Sequence, residues 1–205
     1  MIMNRPVIAY HLLLTNYGFW LPNDPRGSWS AFVRAFELYR AAGSATKINS
    51  KHSVAGKPHD HQARRATKAA LTRPPVVWNG RQAREVARGF ADYATKNGRD
   101  VFAMAVMPDH ALLVVGRSDL PIEKMANHLK ARATSFLQTA GLHPFTGVKL
   151  KNGRHPTPWA RHAWSVFLDT PAAVRSAIRY VEDNPVKAGL KPQRYAWLTP
   201  YDGSS

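Results

Sequence analysis

The stretch VFAMAVMPDHALLVV, residues 101–115, contains two short apolar runs separated by a turn. The runs VFAMAV (101–106) and ALLVV (111–115) have the length and apolar composition that are typical of buried strands. Met107, Pro108 and Asp109 between them form a turn signal. Because this connection is so short, we expect the two strands to be antiparallel neighbours in one sheet.

The chain on either side of this hairpin alternates between helical and strand patterns. Apolar runs predict two more strands, at residues 7–15 and 164–168. Apolar spacing, composition and capping residues predict helices at residues 31–41, 60–71, 81–97, 121–140 and 171–184. The resulting order predicts an α+β fold with a ferredoxin-like antiparallel sheet. Its helices are expected on one face, with an extra helix at the C-terminal end.

The charge of the chain is strongly positive. Its 205 residues include 29 Lys and Arg against 13 Asp and Glu, a formal net charge of +16, which favours nucleic acid as the partner. The absence of cysteine excludes disulfides, thiolate metal sites and a cysteine nucleophile. No apolar run approaches the ~20 residues of a membrane helix, and the first six residues lack a signal-peptide pattern. We therefore expect a cytoplasmic, nucleoid-associated protein without a membrane partner.

The length predicts one domain, residues 1–205, interrupted by a basic inserted arm at residues 43–75. Asp60, a potential helix cap, is the one acidic residue among the cations of this arm. We expect the arm to contact a nucleic-acid backbone, with a strong salt dependence. Its cations are Lys47, Lys51, Lys57, Arg64, Arg65, Lys68 and Arg73. Residues 187–205, after the last helix, form a basic and aromatic tail.

The last predicted helix carries a tyrosine outside its apolar stripe. Val174, Ala177, Ile178 and Val181 form that stripe, and Tyr180 falls at its edge or beyond. Asn184, one turn later, lies on the same side as Tyr180. A tyrosine hydroxyl can act as a nucleophile, and an amide oxygen can bind a divalent ion. A half-buried tyrosine at a helix–sheet boundary would explain Tyr180 equally well.

His110 begins the second strand of the hairpin. Alternate strand residues point to one face, so a histidine at position 112 would place two imidazoles side by side. Position 112 is Leu112, and the sequence therefore offers one histidine rather than a pair. A structural or surface role for His110 is the alternative to a metal site.

Two stretches, MPDHALLVV (107–115) and YVEDNPVKAGL (180–190), contain the candidate residues His110, Tyr180 and Asn184. The first is similar to the HUH segment of the single-tyrosine HUH transposases, which include the REP-associated tyrosine transposases, and the second resembles their tyrosine helix with its following motif. The resemblance covers nearly the whole chain, with the motifs in order. Three further stretches are similar to a bacterial subgroup: NYGFWLPNDPRGSW (16–29), HSVAGKPHD (52–60) and WSVFLD (164–169).

The resemblance implies an enzyme that nicks and rejoins single-stranded hairpin DNA, and it also implies a homodimer. In that family Mg²⁺ or Mn²⁺ polarises a phosphate, and the tyrosine attacks it to leave a 5′-phosphotyrosine and a free 3′-OH. The resemblance assigns the nucleophile to Tyr180 and metal ligands to His110 and Asn184. The second histidine ligand is missing at Leu112. Its loss predicts a weak or absent metal, replacement by another histidine such as His11, or DNA binding without catalysis.

Aromatic and basic loop residues are predicted to hold a single strand, because bases stack on aromatic rings while cations follow phosphates. Trp20, Arg26 and Arg161 join the cations of the arm in this prediction. A core or lid role is the alternative for the tryptophan. RNA binding is a third hypothesis, since ferredoxin-like sheets also present bases to aromatic residues. The strands VFAMAV and ALLVV lack the aromatic signature of that class.

Overall fold

A computed structural model describes residues 6–50, 54 and 56–203. The chain divides into two compact units. The first contains Met1–Thr15 and Val77–Ser205, and the second contains Asn16–Val76. The predicted arm, residues 43–75, lies within the second unit, which already begins at Asn16.

Nine helices and strands occur in the described residues. In chain order they are β1 (Ala9–Thr15), α1 (Phe36–Ala42), α2 (His61–Ala69), α3 (Gly80–Lys96), β2 (Val101–Val106), β3 (His110–Gly116), α4 (Ile122–Thr139), β4 (Trp164–Leu168) and α5 (Pro171–Lys187). None of the helices in the described part of the chain is long and apolar enough to cross a membrane.

The first unit has the predicted α+β fold. Its four strands form one antiparallel sheet in the order β2-β3-β1-β4. This order, with α3 and α4 as the two crossover helices, is the ferredoxin-like arrangement. The antiparallel pairing of β2 with β3 confirms the hairpin predicted from residues 101–115.

The helix α5 covers one face of the sheet. Its buried residues Val174, Ala177 and Val181 pack with Leu112 and Val114 of β3 in a single apolar cluster. The crossover helices are absent from that cluster and contact β2 and β1 instead. On the opposite face, Leu12, Leu14 and Leu113 are fully buried. The extra helix therefore lies across the sheet from the two crossover helices.

The two crossover helices approach each other closely at Gly89 of α3. A Cβ at this position would lie 2.5 Å from the Cα of Ala133 in α4. Glycine is therefore required at this crossing, because a methyl group would overlap the backbone of α4.

The last helix is longer than predicted. We expected it to end at Asn184, before Pro185, but α5 continues to Lys187 with Pro185 buried in its final turn. Because a proline has no N–H, Pro185 cannot donate to the carbonyl of Val181, four residues earlier, and the helix loses that one hydrogen bond. The carbonyls of Asn184 and Pro185 both accept from the N–H of Ala188, which closes the helix.

The second unit contains α1 and α2, which contact each other. The capping role predicted for Asp60 is confirmed, because its carboxylate accepts from the N–H groups of Gln62 at 2.8 Å and Ala63 at 2.9 Å. These bonds satisfy two donors of the first turn of α2 and hold the pKa of Asp60 below its ordinary value. The helix α1 begins at Phe36, five residues later than predicted.

Candidate active site

Tyr180 lies on the outer side of α5, as its spacing from the apolar stripe predicts. Its side chain is 44% exposed, whereas Ala177 and Val181 on either side of it are buried against the sheet. The predicted nucleophile is thus accessible to a large substrate. One edge of its ring still reaches the sheet, where it meets a histidine.

That histidine is His11 of β1. The centroids of the His11 and Tyr180 rings are 5.5 Å apart in an edge-to-face arrangement, and the His11 and Trp164 rings are 5.6 Å apart in the same geometry. Register explains the contact, since His11 lies opposite Val114 of β3 on the face that α5 covers. Directly opposite residues of antiparallel strands share a face. The sequence identifies His11 as a candidate residue but does not show to which face of the sheet its side chain points.

His11 is buried and uncharged at neutral pH. Burial lowers the pKa of its imidazole from 6.5 to about 4, because the charged form loses hydration there. Its Nε2 atom is buried and has no hydrogen-bond partner within the described residues. A buried nitrogen without a partner is unfavourable and is unusual in a native structure. The phenol of Tyr180 is therefore flanked by a neutral imidazole with spare hydrogen-bonding capacity.

His110 occupies the far end of the same face. It pairs with Thr15 in the register of β1 and β3, four residues from the Val114 that faces His11. At the usual strand rise this separates the two histidines by about 13 Å along the sheet. The Nδ1 atom of His110 lies 2.7 Å from a carboxylate oxygen of its neighbour Asp109. Tyr180 makes its recorded ring contact with His11 and not with His110.

Leu112 lies between the two histidines, opposite Leu13 in the register. Its side chain is buried in the apolar cluster beneath α5, together with Ala177 and Val181. The position that would carry a second imidazole is instead part of the hydrophobic core. This burial fits leucine well and leaves the face without a histidine pair.

The residues present do not fit a complete divalent-metal site. Among the described residues, no three His, Asp or Glu side chains come together as a metal-binding group. Asn184 is half-buried, one turn beyond Tyr180. His11 does not replace the missing ligand, since its ring lies against Tyr180 and Trp164 and its register position is about 13 Å from that of His110.

Two residues predicted to contact DNA are engaged inside the second unit. The guanidinium of Arg26 donates to both carboxylate oxygens of Asp24 at 2.8 Å and lies 3.9 Å from the ring centroid of Trp20. The indole N–H of Trp20 donates to the carbonyl of Gly27. Burial raises the pKa of Asp24, but the bonds and charge of Arg26 outweigh it and hold that pKa below its ordinary value. Arg26 and Trp20 therefore stabilise this loop, and we do not include them among the proposed DNA contacts.

The other predicted cations differ in how accessible they are. Lys47, Lys57, Arg65 and Arg161 are exposed. The ammonium of Lys68 lies 4.6 Å from the ring centroid of Phe19. The Nε atom of half-buried Arg64 lies 3.6 Å from the Asp24 carboxylate. Lys51 lies outside the described residues.

Comparisons with protein-family models and with curated proteins find no match to this chain. The resemblance to the single-tyrosine HUH transposases therefore rests on the motifs quoted above. Its assignments to Tyr180, His110 and Asn184 are treated below as a proposal.

Proposed function

We propose that this protein is of the single-tyrosine HUH transposase kind and acts on single-stranded hairpin DNA through Tyr180. The observation that supports it is the exposed phenol of Tyr180 held against the buried, neutral imidazole of His11, with ring centroids 5.5 Å apart. A nucleophile must be accessible to the phosphate and fixed in direction; the exposure of Tyr180 supports the first condition and its ring contact with His11 the second.

In this proposal Tyr180 attacks a backbone phosphorus and His11 positions the phenol. The phenol releases its proton to solvent and its oxygen bonds to phosphorus. The bond from phosphorus to the 3′ oxygen breaks, and that oxygen takes up a proton and leaves as the 3′-OH. His11 fixes the ring by edge contact from the sheet, while Trp164 supports His11 from β4. Mg²⁺ or Mn²⁺ would supply Lewis-acid chemistry, but the protein's own ligands are incomplete, so we derive no step from the metal.

The charge of the chain supports a nucleic-acid substrate. A net charge of +16 and exposed cations in both units favour binding to a phosphate backbone. We include Lys47, Lys57, Arg65 and Arg161 in the proposed contacts. A cytoplasmic, nucleoid-associated location follows from this substrate. A homodimer, which the resemblance implies, is to be measured by light scattering with and without DNA.

Covalent capture tests the proposal. The protein is mixed with end-labelled single-stranded hairpin DNA and Mg²⁺ or Mn²⁺, then separated on a denaturing gel. We expect a labelled band at the mass of the protein that disappears in Tyr180→Phe. Tyr39→Phe, at another exposed tyrosine, is the matched control and is expected to keep the band. An adduct that survives in Tyr180→Phe would remove Tyr180 from the mechanism.

A second candidate function is hairpin-DNA binding without cleavage, as in a domesticated transposase. The observation that favours it is the burial of Leu112 in the core beneath α5, where the HUH pattern requires a ligand. Hairpin binding with no adduct under either ion would support this function. Restoration of the adduct by Leu112→His would assign the loss of activity to that position.

A further inference from the structure

A cavity of about 690 Å³ lies in the first unit between the start of α3 and the segment that follows α5. Trp78, Arg84 and Arg88 line one side, and residues 190–195 with Trp197 line the other. Val106 and Pro108 form its base at the end of β2. The volume lies within the range of about 300–1,000 Å³ that is typical of small-ligand sites.

The C-terminal wall of this cavity is fixed to the edge strand β2. The N–H of Val106 donates to Oε1 of Gln193 at 2.8 Å, and Nε2 of Gln193 donates to the carbonyl of Val106 at 2.9 Å. The hydroxyl of Tyr195 donates to the same Oε1 at 2.7 Å. Farther along, the N–H of Thr199 donates to the carbonyl of Val101. The wall is therefore held in place without a ligand.

The lining of the cavity is positively charged. Arg84, Arg88, Lys191 and Arg194 line it, and none of the lining residues in the described part of the chain is acidic. Arg88 pairs with Glu85 at 3.0 Å. The other three are exposed and form no recorded ion pair among the described residues. Three cations around one cavity favour an anionic ligand, and a phosphodiester matches arginine donors in geometry.

The same cavity has an aromatic wall. On the C-terminal side, half-buried Tyr195 and Trp197 line it, with ring centroids 6.4 Å apart. Trp78, on the opposite side, is only 4% exposed and packs against Trp159 with ring centroids 5.4 Å apart. The aromatic surface open to a planar group is therefore that of Tyr195 and Trp197.

We propose that this cavity binds one unpaired nucleotide of single-stranded DNA, with its base against Trp197 and Tyr195 and its phosphate between Arg84 and Arg194. The choice of DNA rests on the proposed function. The pairing of an aromatic wall with a cationic rim is the chemistry by which proteins hold single strands. The site would hold a nucleotide outside the duplex part of a hairpin. It assigns a role to the basic, aromatic tail that neither Tyr180 nor His110 explains.

Binding of a short strand tests the proposal. The probe is a fluorescent thymidine tetranucleotide, measured by anisotropy in EDTA at low salt. We expect Arg84→Ala with Arg194→Ala to weaken binding by roughly tenfold or more, because two phosphate contacts are lost. The matched control, Arg117→Ala with Lys124→Ala, removes the same charge from exposed residues that do not line the cavity, and is expected to change affinity by less than about threefold.

A second arm tests the base. An abasic tetranucleotide with the same phosphates is expected to bind about 5- to 100-fold more weakly than the thymidine probe, since base stacking is lost. A 4-thiothymidine probe is expected to crosslink to Tyr195 or Trp197. Equal affinity for the abasic probe, or equal losses in the two double variants, would overturn the proposal.

These results are independent of the covalent chemistry. Tetranucleotide binding is measured in EDTA, where no metal-dependent adduct forms, so its result is separate from that of covalent capture. If the tetranucleotide binds in the cavity but no covalent adduct forms with hairpin DNA, the strand-transfer function is rejected and the cavity proposal stands. An adduct with no effect of the Arg84 and Arg194 variants would reject the cavity alone.

Discussion

One face of the sheet carries two histidines whose surroundings differ. His11 is buried, neutral and in edge contact with Tyr180 and Trp164. His110, at the opposite end of the face, is partly exposed and hydrogen-bonded to Asp109. The quoted motifs assign the functional role to His110, whereas the contact with the predicted nucleophile belongs to His11. Sharing a face thus does not place two side chains in one site, because the register separates them along the strands.

The largest expected effect on stability is at Leu112, which lies between the two histidines on the same face of the sheet. Its side chain is part of the apolar core, so Leu112→Ala should lower the free energy of unfolding by about 2–5 kcal/mol through lost contacts and a cavity. Urea denaturation measures the loss. Leu150→Ala, at an exposed leucine, is the control and should change it by no more than about 0.5 kcal/mol. A loss below about 1 kcal/mol at Leu112 would contradict its packing beneath α5.

The pH dependence of stability tests the burial of His11. The pKa of His11 is about 4 in the folded protein and 6.5 when unfolded, so the folded state binds fewer protons between these values. Stability from this group is therefore full above pH 6.5 and is lost as the pH falls toward 4. The loss amounts to about 3 kcal/mol. His143 has a similarly lowered pKa, caused by burial, and adds to the slope.

The His11→Phe variant, which keeps a ring but cannot titrate, should have a shallower slope of unfolding free energy between pH 6.5 and 4 than the parent protein. Denaturant titrations of the variant and the parent protein at several pH values measure the two slopes. An unchanged slope in His11→Phe would mean that His11 is hydrated in the folded protein.

The smallest effect is expected at the exposed end of the face. Asp109→Ala removes the carboxylate 2.7 Å from Nδ1 of His110. Because both side chains are partly exposed, the unfolding free energy should fall by no more than about 1 kcal/mol. The same urea titration measures it. A loss above about 2 kcal/mol would show that this end of the sheet is as constrained as the His11 end.

Most of the fold could be predicted from local patterns. The hairpin at residues 101–115, the crossover helices and the capping of α2 by Asp60 all depend on neighbours in sequence, and they occur in the structure. The end of α5 was predicted wrongly, because Pro185 removes one N–H donor but the N–H of Ala188 still closes the helix on the carbonyls of Asn184 and Pro185. The apolar stripe of α5 shows which side of the helix is buried. It does not show which face of the sheet that side packs against.

The candidate site was less predictable than the fold. The exposure of Tyr180 follows from helical spacing within α5, and the structure agrees. The contact between His11 and Tyr180 joins residues 169 positions apart in the chain, and no local pattern encodes it. Arg26 shows the reverse case, since it looks like a free cation in the sequence but is bound to Asp24 two residues earlier.

The sequence by itself determined the strand and helix order, the excess positive charge and the absence of a second histidine at position 112. These depend on residue type and short-range spacing, which need no partner. The tertiary structure alone decided that Tyr180 meets His11 rather than His110, and that α3 and the C-terminal tail line one cavity. Strand register and helix docking set these contacts, and both depend on packing between residues distant in the chain.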